Sequence, residues 1–380
     1  MKKNIALSIF GLTAFLAVSA GTPAEDAVAK VKKTLAPDAR QVEMTITATE
    51  LPDGGVLLKG KTSEEAVRQA LLKELSSYKN IVDSITVFPT DQWAIPRIAV
   101  ACARTRGAHA GEMASQSLMG HPVRILEKEG QWYKVQMPDG YIAWIVDNSL
   151  ALKTADEIAK WKAAPRVVVT APYQTRVYRT ADAKGLRDVV TDVVNGNILE
   201  GKISDSGMTF VTLPDGRSGY INTADVTPIE KWAAQDFNPE LILDLAYSME
   251  GTPYLWGGTS IKSLDCSGLA KVCYFANGII LMRDASQQAL TGEKFKPEQW
   301  RELEAGDLLF FGNPETGKVT HVAIYDNSGD YVHSSGRVRR NSVDPESESY
   351  LTTPFLSASR IKSRLNTKGI VQAKNHPWFF

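Results

Sequence analysis

Leu264-Asp265-Cys266-Ser267-Gly268-Leu269 opens a stretch in which the apolar residues Leu269, Val272, Cys273 and Ala276 recur at three- and four-residue spacing. That period predicts a helix with Cys266 in or just before its first turn. A thiol attacks only as thiolate, and the free N–H groups and dipole of a helix N-terminus favour an anion. The position therefore suits a reactive sulfur whose pKa is lowered by its setting. Cys273, deeper in the same stripe, reads as a small buried hydrophobe. Upstream, Gly251-Thr252-Pro253-Tyr254-Leu255-Trp256-Gly257-Gly258 is rich in turn residues and brings aromatic side chains to the thiol's neighbourhood.

A base for that thiol follows further along the chain. Thr320-His321-Val322-Ala323-Ile324-Tyr325 and Asp330-Tyr331-Val332-His333 are short alternating runs joined by Asp326-Asn327-Ser328-Gly329, a hairpin signal. With Tyr325 opposite Gly329 across a three-residue loop, His321 pairs directly with His333, their Cβ atoms roughly 5 Å apart on one face. One imidazole then takes the thiol proton while the other orients its ring, the arrangement of a generalised catalytic triad. Two plainer readings compete: a histidine in a strand is often structural, and Cys266, His321 and His333 are ligand types that zinc accepts. Zinc is disfavoured because the sequence holds no close ligand pair such as Cys-x-x-Cys or His-x-x-x-His.

On these residues the chain resembles the papain-like cysteine peptidases of the NlpC family, which cleave the peptide stems of bacterial cell-wall peptidoglycan. The matching pieces are Pro253 to Gly258, Asp265-Cys266-Ser267-Gly268, Arg283-Asp284-Ala285-Ser286-Gln287-Gln288, Gly306-Asp307-Leu308-Leu309-Phe310-Phe311, His321 to Tyr325, and Tyr331-Val332-His333. The resemblance implies that Cys266 is the nucleophile, His321 the base and His333 the orienting third residue. It also implies that Tyr254 and the Cys266 backbone N–H are the oxyanion donors, and that Trp256, Asp265, Ser267 and Arg283 contact the substrate. No metal and no cofactor are expected.

Lys2-Lys3, an apolar run from Ile5 to Val18 and the small residues Ser19-Ala20-Gly21 have the layout of a secretory signal peptide. The run is short for a membrane span and no later segment replaces it, so an exported protein, periplasmic or secreted, with no transmembrane segment is expected. Cys266 and Cys273 stand two helical turns apart, too far for a disulfide, and Cys102 in Ile98-Ala99-Val100-Ala101-Cys102-Ala103 reads as core. The 43 basic residues balance 43 acidic ones with no long single-sign run, which gives no basis for nucleic-acid binding.

At 380 residues the chain has room for several domains. Residues 21–90 alternate as helix (Ala27 to Leu35), strand (Val42 to Thr49), turn, strand (Val56 to Gly60), helix (Ser63 to Leu75) and strand (Ile81 to Phe88), a small α+β module that resembles the BON domain. Then comes an internal repeat: Val135-Gln136-Met137-Pro138-Asp139-Gly140 with Trp144-Ile145 matches Val211-Thr212-Leu213-Pro214-Asp215-Gly216 with Tyr220-Ile221, each position offset by 76 residues. Short strands around a repeated Pro-Asp-Gly turn predict two small β-barrels. They resemble bacterial Src-homology-3-like domains over 91–153 and 166–230, with 154–165 a polar helical linker. Asn238 as N-cap and Pro239 at the first helical position then open an α+β peptidase domain over 231–380.

This architecture resembles enzymes that release L-Ala-γ-D-Glu from cell-wall peptides by cutting the γ-D-glutamyl bond to the diamino acid. The resemblance implies that the first barrel supplies an acid and a tyrosine to hold the substrate's free amine, and the matching positions are Glu112 and Tyr141. Ala285 departs from the pattern, standing where relatives that prefer free L-Ala have a serine. Two other functions stay open at this point: a murein-binding scaffold, and an acyltransferase that passes the thioester to an amine or alcohol. The expected partner is a peptidoglycan stem peptide, and oligomeric state is not legible.

Overall fold

The computed structural model describes residues 21–183 and 185–380, so the expected signal peptide over 1–20 lies outside the described residues. The chain forms two compact units. The smaller ends at Pro37 and resumes over Met44–Val87, while the larger comprises Asp38–Glu43 and Phe88–Phe380.

In the smaller unit Thr22 caps the helix Pro23–Leu35 through a capping box with Glu25, which starts the helix earlier than its apolar spacing suggests. Val56–Thr62 pairs antiparallel with Thr47–Glu50 and parallel with Ile81–Val87, and the helix Glu65–Glu74 makes the crossover between the parallel strands. The strand expected from Val42 starts only at Thr47, because Asp38–Glu43 belongs to the other unit.

The larger unit begins with two seven-stranded antiparallel sheets. The first runs in the order Leu150–Lys153, Trp93–Pro96, Val123–Glu129, Trp132–Gln136, Ile142–Val146, Val100–Arg104, Met113–Leu118. The second runs Val226–Pro228, Arg166–Val169, Ile198–Gly201, Met208–Thr212, Ser218–Asn222, Gln174–Tyr178, Val189–Val194. The order is the same strand for strand, so the 76-residue sequence repeat is a repeat of topology.

Two expectations fail here. Cys102 is exposed rather than core: on the strand Val100–Arg104 its neighbours Ala101 and Ala103 point into the barrel, and alternation turns Cys102 outward. The stretch between the sheets is also no mere linker. The capped helix Ala155–Ala163 buries Ile158 and Trp161 in one cluster with Ile95, Val168, Ile198 and Phe379, so its two apolar residues weld the sheets and the chain's end together.

The remaining chain forms a six-stranded sheet in the order Glu293–Phe295, Phe355–Arg360, Leu308–Asn313, Lys318–Tyr325, Asp330–Ser335, Arg337–Ser342. Asn238 caps the helix Pro239–Ser248 as expected. That helix and the helix Cys266–Ala276 pack on the sheet through Ile242, Leu245, Leu269, Cys273, Phe310 and Val322. The same core takes in Leu118 and Val194, one from each seven-stranded sheet, so the sheets and this domain share apolar packing. Among the described residues no helix is long and apolar enough to cross a membrane.

Candidate active site

Cys266 is the first residue of its helix, and Asp265 is the N-cap, its Oδ1 accepting the Gly268 N–H at 2.7 Å. The Cys266 N–H has no partner among the described residues, as expected for a first-turn donor. Asp265 is held in turn. Its Oδ2 accepts from Gly257 N–H at 2.9 Å and from Arg283 Nη2 at 2.5 Å, and Arg283 Nη1 reaches Ser267 Oγ at 2.9 Å. Arg283 is only 1% exposed, and its Nε donates to Ser115 Oγ of the first barrel at 3.1 Å. Asp265, Ser267 and Arg283 thus bond to one another and set the helix start in place, rather than standing open to solvent. A buried charge pair so fully bonded costs little to keep and much to break, since removing one partner strands the other.

His321 lies on Lys318–Tyr325 and His333 on Asp330–Ser335, and their rings meet with Nε2 of His321 2.7 Å from Nδ1 of His333. The expected register is wrong. Tyr325 pairs with Tyr331 and Ile324 with Val332, which puts Ala323 opposite His333 and leaves the histidines diagonal. The three-residue loop is Asn327-Ser328-Gly329, closed by the Asp326 N–H on the Asp330 carbonyl, with Asn327 and Gly329 at positive φ. Sliding the loop by one residue moved the pairing by two. Period-two geometry keeps both rings on one face, and diagonal neighbours remain within reach of long side chains.

Sequence reasoning missed a further member of this chain of bonds. His333 Nε2 lies 3.0 Å from Asn341 Oδ1, while Asn341 Nδ2 donates to the Ser349 carbonyl at 2.9 Å. The Ser349 contact fixes which way the amide points, so Oδ1 accepts and His333 carries its proton on Nε2. His333 Nδ1 is then an acceptor for the Nε2–H of His321, and His321 keeps a lone pair on Nδ1. With both ring nitrogens of His333 engaged, no lone pair remains there for a metal shared with Cys266. Asn341 sits on the strand Arg337–Ser342, where only the strand pairing, not any sequence motif, brings it to His333.

Cys266 is 7% exposed. Burial pushes its thiol up to about 11, and the Asp265 charge adds to this, against the backbone N–H groups of Val322 and Ser267, which favour the thiolate. The lowered thiol pKa expected from the helix start does not hold, because desolvation outweighs the dipole. Cys266 and Val322, the strand residue next to His321, share one buried core. Burial, then the charge of His333, pushes His321 down to about 3, and burial takes His333 down to about 4. At rest the sulfur and both imidazoles are neutral. Tyr254 is half-buried, and burial followed by the nearby Cys266 raises its pKa, which keeps the phenol a proton donor facing the sulfur. Trp256 is 59% exposed on the same loop.

The first barrel comes against this site through the strand Met113–Leu118. Gln116 exchanges hydrogen bonds with Thr259 and Ser263, and Gly257 lets the Met113 carbonyl approach so closely that a Cβ there would lie 2.4 Å from it. Glu112, one residue before that strand, is exposed. Tyr141 is 8% exposed, and its hydroxyl has no hydrogen-bond partner among the described residues. Burial, then the Asp284 charge, raises its pKa, while Arg283 and Arg40 act in the opposite sense.

A buried cysteine at a helix start and, on the strand packed against that helix, an imidazole with a free lone pair backed by a second imidazole are the parts a cysteine peptidase needs. Comparison with known proteins agrees. The pattern of the NlpC/P60 family matches residues 251–360, and that of the bacterial dipeptidyl-peptidase Sh3 domain matches residues 103–150. Dipeptidyl-peptidase 6 of Lysinibacillus sphaericus is 30% identical over 251 residues, 63% of this chain and 87% of its own. A gamma-D-glutamyl-L-lysine dipeptidyl-peptidase of Bacillus cereus is 27% identical over 274 residues, 68% of this chain and 78% of its own. A crystal structure of an NlpC/P60 family protein from Bacillus cereus superposes with a TM-score of 0.59 at 22% identity, covering 70% of this chain and 99% of that one, which shows a shared fold. The chain belongs to the NlpC/P60 family and is a cysteine peptidase acting on peptidoglycan.

Proposed function

We propose that this enzyme hydrolyses the γ-D-glutamyl bond to the diamino acid in stem peptides whose N-terminal L-Ala is free, and that it does so outside the cytoplasm. The observation that carries the reading is the first barrel's packing beside the cysteine's helix: the Ser115 to Arg283 bond and the Met113 to Gly257 contact bring the strand that follows Glu112 against the Tyr254 loop. A wall there favours a short free peptide end over a stem still joined to glycan. The Bacillus cereus relative is named for a γ-D-glutamyl-L-lysine bond, and it and the Lysinibacillus relative are both named dipeptidyl-peptidases, which supports the reading.

In this reading Cys266 Sγ attacks the γ-carbonyl carbon of D-Glu while its proton passes to His321 Nδ1. His333 and Asn341 hold the ring and share the developing charge. The Cys266 N–H and the Tyr254 hydroxyl bond the oxyanion. Collapse expels the diamino acid, whose amine takes the proton from His321. Water, deprotonated by the same ring, then hydrolyses the thioester and frees L-Ala-γ-D-Glu. Glu112 pairs with the substrate ammonium, the Tyr141 hydroxyl bonds it, and Trp256 covers the bound peptide. The second sheet, by its shared strand order, is a second Src-homology-3-like barrel, and the smaller unit, with its parallel strands and crossover helix, is BON-like.

Incubation with L-Ala-γ-D-Glu-diaminopimelate, read by mass spectrometry, should release L-Ala-γ-D-Glu. Cys266→Ala should abolish release with folding intact, and Cys273→Ala should retain it. Efficient release of peptides from whole sacculi, or equal loss in both variants, would overturn the reading.

A further inference from the structure

Asp38–Glu43 leaves the smaller unit's fold and lies on the larger one. The Arg40 carbonyl accepts the Ile142 N–H at 2.7 Å, which pins Arg40 beside Tyr141. Its guanidinium forks onto Asp38 through Nε at 2.8 Å and Nη2 at 2.7 Å. Nη1 reaches Asp284 Oδ2 at 2.7 Å and makes a long 3.4 Å contact to Ser286 Oγ. Asp38 also accepts from Gln287 Nε2 at 2.7 Å, so this segment grips the short helix Ala285–Gln288 that follows Arg283.

The proposed substrate brings an anion to this edge of the site, because γ-linkage leaves the α-carboxylate of D-Glu free. Two guanidiniums act on the Tyr141 hydroxyl. Arg283 is buried, with Asp265, Ser267 and Ser115 on its nitrogens. Arg40 is different: its side chain is 42% exposed, and one Nη2 hydrogen has no partner among the described residues. A second hydrogen, on Nη1, has only the long Ser286 contact. Asp284 and Ser286 flank Ala285, which offers no hydroxyl of its own. Resting on the γ-D-glutamyl reading, we propose that Arg40 is a specificity-determining residue that takes the α-carboxylate of the substrate's D-Glu through these N–H groups. Guanidinium suits the task because its planar fork already held by Asp38 presents the remaining donors without loss of rotamer freedom.

The test uses the full chain and two tripeptides, L-Ala-γ-D-Glu-diaminopimelate and its analogue with the D-Glu α-carboxylate converted to carboxamide. The wild type should prefer the acid. Arg40→Ala should lower kcat/KM on the acid roughly ten- to hundredfold, mostly through KM, and leave the amide nearly unchanged. Arg40→Lys should keep part of the preference, and it carries the test if Arg40→Ala fails to fold. Equal losses on both substrates, or none on either, would reduce Arg40 to a staple between segments and overturn the proposal. If the wild type cleaves neither tripeptide, the γ-D-glutamyl reading itself has failed and this inference falls with it.

Discussion

The two seven-stranded sheets share one strand order and one 76-residue offset, yet it is the first that bonds Arg283, which holds the N-cap of the cysteine's helix. Ser115, which bonds the buried Arg283, corresponds to Thr191, whose hydroxyl bonds only the neighbouring Asp192 carbonyl. Tyr141, buried with an unpartnered hydroxyl, corresponds to Arg217, which is exposed and occupied by Asp215 and the Arg97 carbonyl. The barrel fold is therefore common to both copies, and a few side chains decide which copy bonds the Arg283 cluster. Even the joint between the copies uses equivalent positions differently. His121 Nε2 lies 2.9 Å from the Gly196 carbonyl, while Asn197, its counterpart, donates to the Ala99 carbonyl at 2.9 Å.

The largest effect expected from testing this comparison comes at that joint. Gly120 and Gly196 are counterparts at φ +84 and +87, so alanine strains both backbones alike. At Gly120 the added Cβ would lie 1.9 Å from the Ile198 carbonyl oxygen, whereas at Gly196 the nearest atoms are side-chain carbons of Leu118 and Phe275 at 3.1 Å. Gly120→Ala should cost roughly 3 kcal/mol or more and Gly196→Ala about 1–2. Thermal melting of the two variants checks this, and equal shifts would mean that the joint yields.

How much of this was open to sequence reasoning follows from the range of each interaction. The helix from Cys266, the Asn238 cap and the Pro-Asp-Gly repeat rest on contacts within a few residues, and the structure has them where expected. The register of the histidine hairpin differs because the loop ends at Gly329 rather than Ser328, a choice set by positive φ at Asn327 and Gly329. Arg40 and Asn341 left no signal, since Arg40 meets Asp284 and Asn341 meets His333 only after the sheets have formed. The helix Ala155–Ala163 reads as a linker in sequence because Ile158 and Trp161 find their partners across the chain.

A smaller effect separates His121 from Asn197 by pH. His121 is packed between Phe275 and Phe379, with ring centroids 4.8 and 5.4 Å away, and burial pushes it down to about 4. Lys271 and His376 act in the same direction, and Asp139 and the Gly196 carbonyl oppose them. The unfolded chain binds this proton near pH 6.5 and the folded chain only near 4, so the unfolded state gains protons first as pH falls. Stability is complete above about 6.5 and is lost on the way down to about 4, by on the order of 3 kcal/mol. His121→Asn, which copies the second sheet, should flatten this part of the profile relative to wild type. The buried His321, His333 and His376 are common to both proteins and cancel in the difference. Urea midpoints between pH 7.5 and 4 measure it, and parallel profiles would show that His121 titrates normally in the fold.

The smallest effect is on activity alone. The Tyr141 hydroxyl has no hydrogen-bond partner among the described residues, so Tyr141→Phe should melt at or slightly above the wild-type temperature. If the hydroxyl bonds the substrate's ammonium, the same variant should lose about tenfold in kcat/KM on the free tripeptide, since one hydrogen bond to a charged group is worth about 1.5 kcal/mol or somewhat more. Arg217→Gln at the equivalent place in the second sheet should shift stability by at most about 1 kcal/mol, because the arginine end of its pairing with Asp215 is open to solvent, and should leave activity alone. The two variants together ask whether the copies differ in function as they differ in contact. Loss of activity in both would make the sheets joint contributors to substrate binding; loss in neither would reduce Tyr141 to a barrel aromatic and leave Glu112 as the first barrel's only proposed contact with the amine.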